Sequence, residues 1–354
     1  MAAAEFLAPA GIGIEVPLGR VDSELKKLWK QGEGVVTRAS LINLVIYSEV
    51  EGSLPINSTM AAEITQDHAC RVLLVEAGRR DLSAEVEAWI TAHCHVSRAG
   101  GRQVCCEQVA FRVAGPLDAL TANTILAHLD SDLPLVLWWQ PALPTEPHRE
   151  LWSRVDRLIF DSATWINAGV EAGKLRSLQQ ISTHAMILSD LNWNRSLPLR
   201  TAMAQLHDQP GVACGLPSLT NIIIHHGTEG KTGAQLLAAW FARQMKWKMK
   251  IVGTTTALFA PDSNIRCEVE YIAEGDGPHV IAIEGRGDYQ FQVRFAPESG
   301  LVMGSTTLAD GHVYKVTAPG VKMDPAQLMG AELERGSEHR IYPEVLAMLA
   351  ALQN

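Results

Sequence analysis

The sequence predicts an α/β N-terminal domain, a mixed sheet with an inserted hairpin. It is followed by an α+β C-terminal domain with an antiparallel meander sheet and C-terminal helices. Three observations carry this expectation. Near-continuous apolar runs alternate with helical stretches through the first half, as expected of strands covered on both faces. One segment of that half changes to strict period two, the mark of a half-buried strand. In the second half several period-two runs follow one another across Gly-rich connectors. The 354 residues fit two domains of ordinary size, expected at 20–194 and 195–354.

In chain order, "LINLVIYS" (41–48) and "CRVLLVEA" (70–77) read as buried strands, with "SLPINSTMAAEITQ" as the helix crossing between them. In "EVEAWITAHCHV" (85–96), Val86, Ala88, Ile90, Ala92, Cys94 and Val96 alternate with polar or larger neighbours. "RAGGR" (98–102) supplies a turn and "QVCCEQVAFRV" (103–113) the return strand, so this pair is the inserted hairpin. "GPLDALTANTILAHL" (115–129) reads as a helix with Pro near its start, "LPLVLWW" (133–139) as a buried strand, and "QPALPTEPHRE" as a loop. "VDRLIFD" (155–161), "GVEAGKLRSLQQI" and "HAMILSD" (184–190) add strand, helix and strand. Beyond "NWNRSLPLRTAMAQLHD" comes a helix at 231–248. The extended runs "RCEVEYIA" (266–273), "HVIAIE" (279–284), "YQFQVRF" (289–295) and "HVYKVTA" (312–318) follow, and then two short helices.

With 47% hydrophobic and 19% charged residues, the chain can bury sizeable cores and is not a disordered tail. Thirty basic against 39 acidic residues give a net charge of −9, and no Lys/Arg cluster tracks a phosphate backbone, which argues against nucleic acid. The run Leu133 to Trp139 is seven residues, far short of the ~20 that span a bilayer. The opening "MAAAEFLAPAGIGIEVPL" has Glu5 and no basic stretch, so no signal peptide is expected. Six cysteines are too sparse for a disulfide scaffold. Cys70, Cys94, Cys214 and Cys267 lie in apolar stretches and are expected to be buried, reduced thiols of a cytoplasmic protein.

The segment "HHGTEGKTG" (225–233) follows Ile222-Ile223-Ile224 and invites a test for a nucleotide-binding P-loop. Gly230-Lys231-Thr232 supplies the end of G-x-x-x-x-G-K-[S/T], but His225 stands where the first glycine belongs, and Gly227 leaves only two residues between the glycines. That loop is too tight for backbone N–H groups to wrap phosphates. The Walker-B-like "RLIFD" ending in Asp161 precedes it instead of following. Thr228 or Thr232 is expected to cap the helix, with Glu229 at its positive end and Gly230 in the turn. The helix start at Thr228–Thr232 also offers the alternative function, a sugar-phosphate- or anion-binding enzyme that uses this N-terminus.

No G-x-G-x-x-G is present: "GIGIEVPLG" has Gly11 and Gly13 but Val16 at the third position, so no dinucleotide cofactor is expected. His93 and His95 share a strand face and could form an imidazole pair. Cys94 faces the other way, Cys105 and Cys106 face opposite ways, and no C-x-x-C exists, so no metal site is assigned. A redox thiol at Cys105 or Cys106 is a minor alternative. No G-x-S-x-G elbow anchors a hydrolase. Asp130 and Asp132, Glu268 and Glu270, and the Arg286–Asp288 "RGD" carry no assigned chemistry. Trp138-Trp139 reads as core, with one indole a candidate for an interface. No catalytic or cofactor-binding residue is assigned, and binding is favoured over catalysis.

Taken together, "TRASLINLVIYSE", "HACRVLLVEA", "AHCHV…RQVCCEQV", "GPLDALTANTILAHLDSDLPLVLWWQPALP", "VDRLIFDSATW", "LNWNRSLPLRTAMAQLHD" and "LLAAWFARQMKWK", in this order, resemble the OpcA family. The likeness spans residues 35–250 and weakens beyond. It implies a non-catalytic protein that binds glucose-6-phosphate dehydrogenase and promotes its active oligomer or substrate affinity. It identifies no contact residues. Some members are linked to redox control, but no cysteine follows Cys267, so a C-terminal redox pair is missing.

Overall fold

A computed structural model describes residues 11–31, 36–79, 83–96, 103–115, 117–252, 255–260, 266–320 and 324–352. The first stretch holds β1 (Ile14–Val16), α1 (Val21–Gln31), β2 (Val36–Arg38), β3 (Ile42–Ser48), α2 (Ser53–Asp67) and β4 (Cys70–Arg79). Then come β5 (Glu85–Val96), β6 (Gln103–Ala114), α3 (Leu117–His128), β7 (Leu135–Trp139), α4 (Arg149–Trp152), β8 (Val155–Phe160), α5 (Ala168–Ile181) and β9 (Ile187–Asp190). The second half holds α6 (Leu191–Arg195), α7 (Leu197–His207), β10 (Leu219–His226), α8 (Lys231–Met245), β11 (Lys248–Val252) and β12 (Thr255–Phe259). It ends with β13 (Arg266–Ala273), β14 (Val280–Gly287), β15 (Gln290–Ala296), β16 (Leu301–Thr307), β17 (Val313–Pro319), α9 (Pro325–Glu334) and α10 (Tyr342–Ala351). The expected turn at 98–102 lies outside the described residues.

The elements sort into two compact units that interleave in sequence. The first takes the chain up to Phe160, then Leu175–Ser189 and Asp324–Glu338; the second takes Asp161–Lys174, Asp190–Met323 and His339–Asn354.

The first unit is built on a nine-stranded mixed sheet, β1-β5-β6-β4-β3-β7-β8-β9, with β2 also on β6. β6, β4, β3, β7 and β8 run parallel. β5 lies antiparallel between β1 and β6, and is the inserted hairpin strand the sequence predicts. Without that insertion the order is third, second, first, fourth, fifth, sixth, a doubly wound sheet whose order reverses between β3 and β7. The apolar runs explain the placement. Leu44, Val45 and Ile46 of β3, and Val72, Leu73, Leu74 and Val75 of β4, are fully buried, as central parallel strands require. Asn43 holds the path into β7: its side chain bonds Asp130 O and Leu133 O and accepts from Asp130 N, each at 2.9 Å. The tail helix α9 returns to this unit and packs on α2. Buried Arg157 donates to Glu332 O at 3.1 Å and Arg335 O at 2.6 Å, so a cation meets carbonyls at the end of α9.

The second unit has an eight-stranded sheet, β11-β12-β13-β10-β14-β15-β16-β17. Its β14–β17 stretch is the expected meander. One pair departs from it: β10 enters between two later strands and runs parallel to β13. α7 packs on β15–β17, and α8 on β10 and α10. Alternation sets the faces: Phe291 and Val293 of β15 are buried while Gln290, Gln292 and Arg294 are exposed.

Candidate functional site

Two places invite a ligand on topological grounds. The first is the crevice of the parallel sheet at its switch point, beyond the carboxyl ends of β3, β4 and β7, where doubly wound folds bind their ligands. Here β3 runs through Glu49–Gly52 into α2, whose N-cap is Gly52 in a left-handed conformation with no side-chain cap. The positive end of α2 is nevertheless satisfied. Glu76, 2% exposed at the end of β4, accepts from Leu54 N at 3.2 Å and Ser53 Oγ at 3.3 Å. Its other oxygen accepts from Arg112 Nε at 3.1 Å, and Arg112 also donates to Glu87 at 3.0 Å. A protein carboxylate therefore stands at the helix start, where a dinucleotide fold would seat a phosphate. Burial opposes the charge on Arg112, but its bonds to Glu76 and Glu87 outweigh that and raise its pKa.

The rest of the crevice is equally self-contained. Asn57 and Gln140 exchange amide hydrogen bonds of 2.8 and 3.3 Å across the switch point. Tyr47 and Trp139 stack with ring centroids 4.0 Å apart, and Trp152 packs on Trp139 at 5.2 Å. Trp138 and Trp139 are both buried. A 380 Å³ cavity beside α2 is lined by Glu51, Glu76, Glu85 and Glu87, with Arg112 the one cation among its lining residues. Among the described residues that lining is mostly acidic and disfavours a diphosphate.

The second place is the start of α8 in the other unit. Its N-cap is Gly230, with no side-chain cap; neither Thr228 nor Thr232 takes the role the sequence suggests. Thr232 turns its hydroxyl to Trp165 O at 3.3 Å. The loop N–H groups are already used. Gly227 N donates to His279 O at 2.9 Å, Thr228 N to Gly275 O and Glu229 N to Gly277 O at 3.1 Å, and Gly230 N to Gly227 O at 2.8 Å. A phosphate loop keeps such groups free for the ligand, so this one is a backbone junction with the 275–279 turn. Its glycine follows from packing: a Cβ on Gly227 would collide with the Gly277 carbonyl. What remains open is Lys231, exposed between two cavities of 410 and 540 Å³ that share Trp165, Lys231 and Thr232.

Behind this cleft lies a buried polar network. Asp190, 0% exposed, accepts from Ser162 N at 3.0 Å, Ser162 Oγ at 2.7 Å, Asn192 N at 2.9 Å and Tyr342 OH at 2.8 Å. Burial and then the nearby Asp161 push its pKa up to about 6, against the pull of these donors. Asp161 pairs with Arg195 through two bonds of 2.6 and 2.7 Å and caps Ala163 N. It is structural. The sequence offers Asp161 only as a Walker-B-like position that its place before the loop rules out, and it assigns nothing to Glu76, Asn57, Gln140 or Asp190. The one visible signal was a carboxylate, Glu76, inside an apolar strand run.

The other candidates also resolve. His93 bonds Gln108 at 2.8 Å and His95 bonds Thr65 at 3.3 Å. Burial, the leading cause for both, lowers their pKa values. Among the described residues no group of three or more His, Cys, Asp or Glu side chains could hold a metal. The cysteine expectation needs two corrections. Cys94 and Cys105 form a disulfide, because the hairpin register sets them directly opposite with Cα atoms 4.1 Å apart. The sequence does not fix that register. Cys214 is exposed, while Cys70, Cys106 and Cys267 are buried free thiols whose pKa values burial raises. No helix among the described residues is long and apolar enough to cross a membrane.

Comparison with known proteins adds family information. A family profile described as the N-terminal domain of a glucose-6-phosphate dehydrogenase subunit matches residues 61–180. A second profile, described as the C-terminal domain of the same kind of subunit, matches 186–346. A Nostoc punctiforme protein named as an OxPP cycle protein, OpcA, is 24% identical over 194 residues, 53% of this chain and 40% of that protein. The match thus spans well under half of that relative. Among solved structures, the transcriptional regulator Gal80p from Kluyveromyces lactis has 9% identity and a TM-score of 0.45, over 93% of this chain and 94% of that one. An oxidoreductase domain protein from Kribbella flavida has 9% identity and a TM-score of 0.45, over 89% and 96%. Likeness this distant says nothing about chemistry.

Proposed function

Because the chain belongs to the OpcA family, we propose that it is a non-catalytic protein that binds glucose-6-phosphate dehydrogenase and favours its active state. The carrying observation is the pair of family profiles, both described by that dehydrogenase, over 61–180 and 186–346. The filled crevice supports the non-catalytic part of the reading. Among the described residues Glu76 holds the helix start, the Asn57–Gln140 pair bridges the switch point, and the mostly acidic lining disfavours the diphosphate of a nicotinamide dinucleotide.

Binding one state of the dehydrogenase more tightly than another shifts its population toward that state. A tenfold gain in apparent substrate affinity needs only ~1.4 kcal/mol of differential binding. The setting we propose is the cytoplasm, in support of the oxidative pentose phosphate pathway.

The test is physical association. This protein and the purified cognate dehydrogenase are mixed and run on a sizing column with light scattering. A complex of defined mass supports the reading. Separate elution at micromolar concentrations, with and without glucose 6-phosphate, sinks it.

A further inference from the structure

The chain carries a net charge of −9, yet one part of its second unit is both basic and apolar. Lys231 opens α8, and Lys246, Lys248 and Lys250 lie on or just before the edge strand β11; all four are exposed. Large apolar side chains are exposed beside them: Ile166 at 105%, Ile251 at 53% and Val252 at 39%. Each feature alone has an ordinary explanation. Lysines blunt sheet edges against pairing, and single exposed apolar residues are common. Here Lys231 and the exposed Ile166 and Ile251 coincide on a concavity, while Lys248, Lys250 and Val252 project from the opposite face of β11. The 540 Å³ cavity is lined by Ile166, Ile251, Leu349 and Leu352 with Lys231 as its cation. The Lys231 side chain has no ion pair or hydrogen bond among the described residues. Several other exposed cations of this unit are matched: Arg286 pairs with Glu284, Arg266 with Glu268, and Arg243 with Glu344. Lys231 is left for a partner, and apolar surface surrounds it. That combination marks binding surfaces.

We propose that this cleft is the docking surface for the dehydrogenase, and that its occupant is an acidic segment of the partner bearing an aliphatic side chain. The aliphatic group packs against Ile166, Ile251 and Leu349. A carboxylate meets Lys231. The proposal rests on the reading that the dehydrogenase is the partner.

The test compares the full-length wild type with Ile166→Ser, Lys231→Glu and a control, Arg294→Glu, on the exposed face of β15. All three positions are exposed, and melting curves check that each variant folds. Affinity for the cognate dehydrogenase is measured by titration at low and high salt. The expected result is about a tenfold or greater loss of affinity for Ile166→Ser and for Lys231→Glu. The control should stay within about twofold, and wild-type binding should weaken as salt rises. If both cleft variants bind like wild type, or the control loses as much, the surface is wrong while the partner stands. If wild type itself does not bind, the partner reading fails and takes the surface with it.

Discussion

Glu76 shows what one buried carboxylate does in this chain. It caps α2, anchors Arg112 and fills the position of a ligand anion. Glu76→Gln removes the charge from a site whose other partners stay in place. The expected cost is about 2 kcal/mol in a urea titration, and an unchanged midpoint would deny Glu76 this role. Asp190 gives a second prediction, in pH. Its carboxyl is pushed up to about 6 in the folded state from an ordinary 3.8. A raised carboxyl binds its proton more tightly when folded, so its contribution is full below the unfolded value and lost as pH rises through about 6. Wild type should therefore gain stability relative to Asp190→Asn as pH falls from 7 to 4.5, by up to roughly 1.4 kcal/mol per pH unit within the window. A difference independent of pH would place the titration elsewhere.

At the scale of elements, two junctions hold the candidate regions. The loop before α8 is fixed by four backbone hydrogen bonds, and Gly227 lies against the 275–279 turn. Gly227→Ala should destabilise the second unit by about 2 kcal/mol or more, because the new methyl meets backbone that cannot rotate away. Hydrogen exchange at β10 and α8 reads this directly. The β5–β6 hairpin is tied by Cys94–Cys105. Thiol titration of the unfolded, unreduced protein should find four thiols and, after reduction, six. Finding six at once would remove the disulfide.

These elements also show what a sequence yields. β3, β4, β7 and the alternating β5 and β15 were legible because burial on two faces or one writes period directly into residue type. The short β1, β2, β11 and β12 and the Gly- and Thr-containing β16 were not, because pairing with neighbours defines them, not their own pattern. Strand order, the hairpin register that joins Cys94 to Cys105, and the return of α9 to α2 are all long-range facts. So is the P-loop outcome. The missing glycine was visible at His225, but the N–H groups of Gly227, Thr228 and Glu229 are satisfied by carbonyls of the distant 275–279 turn.

For the whole molecule, the account is a doubly wound unit whose crevice is filled from within, and a second unit with a basic, apolar cleft. Under the proposed function such a protein acts by contact. If it raises the dehydrogenase's affinity for glucose 6-phosphate, linkage requires that glucose 6-phosphate tighten the complex by the same factor. A titration of the complex with and without the sugar phosphate reads that factor, and unequal factors would exclude action through affinity. The most direct measurement is the rate of NADP reduction by the purified cognate dehydrogenase as this protein is added at fixed glucose 6-phosphate. The account predicts a saturating rise in rate, through a lower half-saturation or a higher maximum, with no NADP reduction by this protein alone. A rate unchanged up to a large molar excess, or turnover by this protein in the absence of the dehydrogenase, would contradict it.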